Sequence, residues 1–262
     1  MINFFNRNKK PKIKFFSLIP AVNTLYPITP SSKLKRSWVE EEKKDFESRK
    51  SKCPFAYVDG LRSIGKCPAI KSAMNTGFIL YTPADFIINT IGDKHTINVT
   101  QKNILRTSNY IDLHDNSVSE WLLDSSKDIT LDQIIKVNTP WRTICDSDIV
   151  FIVTKVPYVK ESRFTPTYGI FDPSISSELN VQLMWHILEG TETITAGTPL
   201  CQYIPVSRKL LFSPDYEITE AAPKDYRLED EMVYSGNHQF DSSDKIMNRI
   251  KKMSKILRKY GY

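Results

Sequence analysis

The sequence predicts a mainly β protein of the α+β class, in which antiparallel strands pack as a sandwich or barrel. Residues 137–208 consist of short runs rich in Val, Ile, Thr, Tyr and Phe, and each run is closed by Pro, Gly or Asn. This composition and spacing is typical of antiparallel strands. Polar residues alternate with Leu179, Val181 and Leu183, so these three should face a core. The run from Ile149 to Val153 is apolar on both faces, which predicts a strand in the middle of a sheet.

The other elements can be placed by periodicity and by turn residues. A first strand is expected from Ile13, a helix over 35–49, and a short helix over 69–76 that Gly77 closes. Strands should follow between 78 and 100, with Gly92-Asp93 as a two-residue hairpin turn. Residues 101–132 are polar and irregular, with Trp121 as their core anchor. The residues expected to be most deeply buried are Ile152, Val181, Leu183 and Leu200.

Bulk composition limits the class of protein. A chain of 262 residues with 40% hydrophobic and 11% aromatic residues can bury a sizeable core. No apolar run is long enough to span a bilayer, so no membrane association is expected. The apolar stretch after the basic N-terminus is short and is interrupted by Pro20, which argues against a secretory signal.

The sequence lacks a recognisable catalytic or metal-binding pattern. It has no P-loop, no dinucleotide-binding glycine motif, no nucleophile elbow and no zinc-protease motif. The cysteines are too widely spaced for a metal site and are expected to be reduced thiols. We therefore predict no catalytic residue, no metal and no cofactor. The four cysteines are Cys53, Cys67, Cys145 and Cys201.

Charge is distributed unevenly along the chain. Residues 1–52 contain 13 Lys and Arg against 5 Asp and Glu, and residues 238–262 contain 7 against 2. The intervening residues 53–237 contain 16 against 23, so basic ends flank an acidic body. The ends are either solvated tails or arms that settle on an acidic surface, such as a second copy, another protein or nucleic acid.

This pattern divides the chain into four segments. They are a basic N-terminal arm with a helix (1–52), a β-rich core domain (53–212), an acidic linker (213–241) and a basic amphipathic C-terminal helix (242–262).

The C-terminal helix is predicted from Ser243 to Tyr260. One apolar stripe runs along it, acids lie at its start and bases at its end. Such a stripe needs a surface to cover, either on the same chain or on a partner. We expect the helix to bind another subunit through Ile246, Ile250, Met253 and Leu257, with Lys251 and Lys252 beside them.

Gly169-Ile170-Phe171-Asp172, followed by a strand and then by Gly197 to Gln202, resembles the C-terminal half of the dUTPase and dCTP deaminase family. In that family the aspartate acts at a nucleotide pocket. The resemblance implies a β-clip-like or jelly-roll-like strand plan, and a ligand pocket at Asp172 and Gln202 near Trp141. Ser174-Ile175-Ser176 replaces the family's Tyr and Gly, and the phosphate-binding Arg-Ser-Ser segment and Gly-rich flap are absent.

A wider resemblance covers roughly residues 12–210. It is carried by Lys66 to Ala69, Gly77-Phe78, Asn138 to Trp141, Gly169 to Asp172, and Ala196 to Pro199 with Gln202. These blocks look like an uncharacterised family of bacterial and tailed-phage proteins, cyanophages among them.

Two functions remain open. The first is a phage structural or assembly protein, oligomeric or bound to other virion proteins, in the virion or the host cytoplasm. Nucleic acid could also contact its basic ends. The alternative is a nucleotide or small-molecule binding protein or hydrolase with a pocket near Asp172.

Overall fold

The structure is a computed structural model, and it describes residues 12–52, 64, 67–102, 109–114, 117, 129–236 and 243–261. Within these ranges, the side chains of residues 49–52, 233–236, 243–247 and 249 are not described. The chain divides into two compact units. The β unit comprises Met1–Lys35 and Met74–Pro214, and the helical unit comprises Arg36–Ala73 and Asp215–Tyr262.

The described residues contain 13 strands. In chain order these are β1 (Ile13–Ser17), β2 (Thr29–Pro30), β3 (Phe78–Tyr81), β4 (Asp85–Ile91), β5 (Ile97–Lys102), β6 (Ile111–His114), β7 (Ile134–Cys145), β8 (Ile149–Thr154), β9 (Phe164–Pro166), β10 (Gly169–Phe171), β11 (Glu178–Trp185), β12 (Glu189–Ile194) and β13 (Pro199–Ser207).

The six α-helices of the described residues range from 4 to 17 residues in length. They are α1 (Val22–Leu25), α2 (Ser37–Lys52), α3 (Pro68–Asn75), α4 (Arg208–Phe212), α5 (Pro223–Gly236) and α6 (Ser243–Lys259), with one turn of 3-10 helix at Ser31–Lys33. The predicted helices over 35–49, over 69–76 and at the C-terminus are thus confirmed, with Gly77 at φ +73 after the second of them.

The strands form three antiparallel sheets. The first has the order β1-β7-β11-β9, with β6 also paired to β7, the second β10-β8-β13-β3-β2, and the third β12-β4-β5. Side chains from all three sheets meet in one apolar core, among them Val137, Phe151 and Phe86. The fold is therefore a mainly β, α+β sandwich, and the strands described do not close into a barrel.

The predicted strand faces agree with the burial. Leu179, Val181 and Leu183 are 0–1% exposed. Strand β8 lies between β10 and β13, as expected for a run that is apolar on both faces. Leu200 is also buried, but Ile152 is only half-buried. Ile152 lies on the opposite face of β8 from the buried Phe151 and Val153, and Val150 on the same face as Ile152 is fully buried.

The hairpin between β4 and β5 differs from the prediction. Its loop contains five residues, 92–96, and not the two of Gly92-Asp93. The Asp93 carboxylate explains the longer loop, because Oδ1 accepts hydrogen bonds from the backbone N–H groups of His95 (3.0 Å) and Thr96 (2.7 Å). Gly92 and Lys94 have positive φ values of 88 and 64°.

Part of the predicted N-terminal arm belongs to the β unit. Strand β1, where a first strand was expected, pairs antiparallel with the C-terminal half of β7, from Ile13↔Cys145 to Ser17↔Trp141. Phe15 packs against the core, and its ring lies 4.9 Å from that of Phe78. Residues 1–11 lie outside the described part of the chain.

Two segments predicted to be irregular contain regular structure. Residues 111–114 form β6, in which Ile111 is 8% exposed, so its burial accounts for this short strand. The predicted acidic linker 213–241 contains α5, which begins at Pro223. The Asp225 carboxylate accepts a hydrogen bond from the Ala222 N–H at 2.7 Å, and Leu228 and Met232 are half-buried one turn apart. Trp121 lies outside the described residues.

Candidate functional site

Asp172 follows the edge strand β10 and is held by a network of hydrogen bonds. Its Oδ1 accepts bonds from the Ser174 N–H (2.9 Å) and the Ser174 hydroxyl (2.6 Å). The Arg208 guanidinium donates to both carboxylate oxygens, Nη1 to Oδ2 at 2.5 Å and Nη2 to Oδ1 at 2.6 Å. This is the bidentate arrangement that a planar guanidinium makes with a carboxylate.

The ion pair fixes the charge of Asp172. Hydrogen bonds from Arg208, and then from Ser174, hold the pKa of the Asp172 carboxyl well below its usual range. The same pairing raises the pKa of Arg208. The Asp172 side chain is 13% exposed, and both of its oxygens already accept hydrogen bonds. A carboxylate of such low basicity is a weak general base near neutral pH.

Gln202 lies in a different part of the same sheet. It is 1% exposed in β13, opposite Thr154 of β8 and Ile79 of β3. Its side-chain Nε2 donates to the Thr76 carbonyl, which ties β13 to the turn before β3. Phe171 is opposite Phe151 on β8. Asp172, one residue after Phe171, is therefore level with position 150 of β8, whereas Gln202 is level with position 154. The two residues are thus about four positions, or roughly 13 Å, apart along the strand direction.

Trp141 lies in β7, in another sheet, and lines a surface groove of about 580 Å³. Its indole N–H donates to the Tyr26 carbonyl at 3.2 Å, which fixes the ring at the groove wall. None of the residues that line this groove is titratable. The apolar wall consists of Phe15, Phe16, Ile19, Pro27, Ile28 and Trp141.

The three predicted pocket residues therefore have separate environments. Asp172 is in an ion pair, Gln202 is a buried link between elements, and Trp141 borders a groove that neither of the other two lines. Among the described residues, no group of three or more His, Cys, Asp or Glu could hold a metal ion.

The predicted partner-binding residues lie on α6 in the helical unit. Ile250 is 52% exposed, and the next two residues in the sequence, Lys251 and Lys252, are also exposed. Met253 and Leu257 are half-buried. The side chain of Ile246 is not among those described.

The buried face of α6 is rotated from the predicted stripe. Ile256 is 6% exposed and is followed one turn later by the half-buried Tyr260. At about 100° per residue, Met253, Ile256 and Tyr260 fall within about 60° of one another, and Ile250 lies at least about 60° outside that arc.

One end of α6 is linked to α5 of the same chain. Lys259 Nζ lies 2.9 Å from Glu231 Oε2. Hydrogen bonding between the two lowers the pKa of Glu231 and raises that of Lys259. Part of the C-terminal helix therefore contacts its own chain, which was the alternative to docking on a partner.

Two important residues were missed by sequence reasoning. Arg208 directly follows β13, and no local pattern indicates that it would reach Asp172, 36 positions earlier. Ile256 belongs to a second apolar stripe that the sequence does show, since Met253, Ile256 and Tyr260 recur at spacings of three and four, but no local signal indicates that this stripe is the buried one.

A scan against models of known protein families, a search of curated proteins and a search of solved structures each found no match to this chain. In the part of the chain that the structure describes, none of the helices combines the length and the apolar character needed to cross a bilayer.

Proposed function

We propose that this protein is a structural or assembly protein of a bacteriophage particle, which docks on neighbouring subunits through its terminal segments. It would be found in the virion and in the host cytoplasm where virions assemble. The phage assignment is supported by the resemblance of residues 12–210 to a family with tailed-phage members. Docking is supported by the side-chain exposures on α6.

The observation that carries the docking proposal is the exposure of Ile250. This side chain is 52% exposed, on a helix whose Ile256 is 6% exposed. Lys251 and Lys252 follow it in the sequence and are also exposed, about 100° and 160° around the helix axis from Ile250. The complement of Ile250 is an apolar spot, and an acidic surface around that spot would attract the cationic helix as a whole. Residues 53–237 contain 23 Asp and Glu against 16 Lys and Arg, so a second copy offers an acidic body.

The test compares two single substitutions by light scattering after size-exclusion chromatography. Ile250→Asp is expected to lower the oligomeric mass of the full-length protein. Ile175→Asp is the matched control, because Ile175 is 85% exposed in the β unit and has no role in this proposal. Equal masses for the two variants and the wild type would rule out docking through Ile250. Mass spectrometry of purified phage particles tests the virion assignment directly.

A second candidate function is supported by the groove at Trp141. A groove of about 580 Å³ with an apolar, partly aromatic wall has the size and lining of small-molecule sites. Such a ligand would raise the Tm of the wild type by mass action and leave the Tm of Ile28→Glu unchanged, because the new carboxylate would stand in the groove. A ligand that raises both Tm values equally would exclude the groove as its site.

A further inference from the structure

Helix α6 presents a continuous cationic face. All five of its cations between 251 and 259 are exposed. At about 100° per residue they fall within an arc of about 120°, and they extend over roughly 12 Å of the helix axis. These cations are Lys251, Lys252, Lys255, Arg258 and Lys259.

Most of this charge has no counter-ion among the described residues. Lys259 pairs with Glu231 at 2.9 Å, and no ion pair joins the other four cations to a described carboxylate. The charge of Lys252 contributes to lowering the pKa of Glu231, but the two do not form a described ion pair. A surface with four positive charges outside the described ion pairs attracts an anionic partner.

The apolar side of the helix argues against a lipid partner. An amphipathic helix binds a bilayer by burying its apolar face among the acyl chains. In α6 that face is occupied, because Ile256 is 6% exposed and Met253 and Tyr260 are half-buried. The exposed surface between 251 and 259 is therefore mainly cationic.

The cationic face also lacks the aromatic residues that bind single strands, in which bases stack on aromatic rings. The nearest aromatic residue on the helix is Tyr260, which is half-buried, and Lys259 Nζ lies 5.1 Å from its ring centroid. A duplex fits better, since it carries about one phosphate charge per 1.7 Å of its axis and hides its bases. A 12 Å length of duplex, the length of the row of cations, carries about seven such charges on its two strands.

We infer that this face of α6 binds the phosphate backbone of double-stranded DNA without reading its sequence. Lysine and arginine on a straight helix contact phosphates as charges, and sequence is read by side chains that reach base edges. The inference goes beyond subunit docking and does not depend on it. Ile250 is the residue that carries docking, whereas the DNA contact is carried mainly by Lys251, Lys255 and Arg258, which lie about 80–140° around the helix axis from it.

The experiment measures binding of the full-length protein to a fluorescent 30-base-pair duplex between about 50 and 200 mM salt, the range over which phosphate contacts are strongly weakened. The wild type should bind, with an affinity that falls steeply with salt. In the triple variant Lys251→Gln, Lys255→Gln, Arg258→Gln, the negative slope of log K against log salt should become shallower by about 0.9 per cation, or about 3 in total.

The matched control neutralises three exposed lysines of the β unit, Lys12→Gln, Lys155→Gln and Lys209→Gln. It should bind the duplex with the wild-type slope, which separates a local effect from a change in net charge. Circular dichroism checks that both triple variants remain folded.

Three further measurements distinguish the possible partners: binding to single-stranded DNA, binding to vesicles and self-association. A single strand of the same length and vesicles containing phosphatidylserine should both bind more weakly than the duplex, and binding to either that equals or exceeds the duplex overturns the inference. An α6 variant with wild-type affinity and salt slope also overturns it. If the wild type does not bind the duplex, but associates with itself in a way that the α6 variant abolishes, the face belongs to a second copy and the DNA proposal is wrong.

Discussion

At the residue scale, Arg208 joins three segments of the β unit that are far apart in sequence. Its guanidinium holds Asp172, its Nε donates to the Ser147 carbonyl at 3.1 Å, and its backbone N–H donates to the Asp148 carbonyl at 2.6 Å. The residue that resembles a catalytic aspartate is thereby part of a structural connection.

Asp172→Asn should lower the Tm at pH 7, because the amide loses the charge that Arg208 binds. Since the folded-state pKa of Asp172 is lowered, the unfolded chain binds a proton at this carboxyl at higher pH than the folded chain does. The stabilisation is therefore complete above the ordinary carboxyl pKa of about 3.9 and is lost progressively below it. The Tm difference between wild type and variant should shrink in acid.

Calorimetry of both proteins between pH 7 and pH 3 measures this difference. Glu178→Gln is the control, because Glu178 pairs with Arg142 at 2.7 Å but is 59% exposed, and such surface pairs contribute little. Equal Tm values for wild type and Asp172→Asn at pH 7 would contradict a structural role for the ion pair.

The purified protein should not hydrolyse dUTP or dCTP, because Asp172 is engaged by Arg208 and the family's phosphate-binding segment is absent. Chromatographic detection of the nucleotide products tests this. Turnover above background that disappears in Asp172→Asn would support the hydrolase alternative instead.

Leu183→Ala should reduce the free energy of unfolding by about 2–5 kcal/mol, since the truncation leaves a cavity in a core where Leu183 is 0% exposed. Urea titration measures the change. Ile175→Ala is the control, because Ile175 is 85% exposed and its loss should change stability by no more than about 0.5 kcal/mol. A midpoint unaffected by Leu183→Ala would contradict the placement of β11.

At the element scale, the turn between α3 and β3 requires glycine for two reasons. Gly77 has φ +73, and a Cβ at this position would lie 2.3 Å from the Tyr203 carbonyl oxygen. That carbonyl belongs to β13, which pairs with β3, so the backbone on both sides of the contact is held by the sheet. A side chain here would displace one element from the other.

Gly77→Ala should therefore destabilise the protein by more than the cost of a positive φ alone, which is about 1–3 kcal/mol. Gly197→Ala separates the two effects, because Gly197 has φ +83 but a Cβ there would meet nothing within 4 Å. Comparison of the urea midpoints of the two variants measures the steric part. Equal losses of stability would show that the approach of β13 to Gly77 is not restrictive.

Helix α6 shows what local sequence can and cannot predict about an element. Its helical character follows from its periodicity and the charges at its ends, and it extends from Ser243 to Lys259 as expected. Which of two adjacent apolar stripes is buried depends on the packing of α6 within the fold, and that information is not local. For this reason Ile256 was missed and Ile250 is half exposed.

At the scale of the whole molecule, the sequence predicts the sandwich well and the candidate site poorly. The alternation of polar and apolar residues identifies Leu179, Val181 and Leu183 as buried, because successive side chains of a strand point to opposite faces of the sheet. The relation between Asp172, Gln202 and Trp141 depends on strand register and sheet order. The pairing of β10 with β8 joins residues 16–20 positions apart, and the ion pair of Asp172 with Arg208 joins residues 36 positions apart, so neither leaves a local pattern.

The central claim is that assembly depends on the C-terminal helix, and removal of residues 242–262 tests it most directly. Sedimentation velocity should show an assembly of the full-length chain that salt weakens, because charges contribute to it. The truncated chain should remain folded by circular dichroism and sediment as a smaller species at every salt concentration. An unchanged oligomeric mass after truncation, or a truncated chain that cannot fold, would contradict the claim.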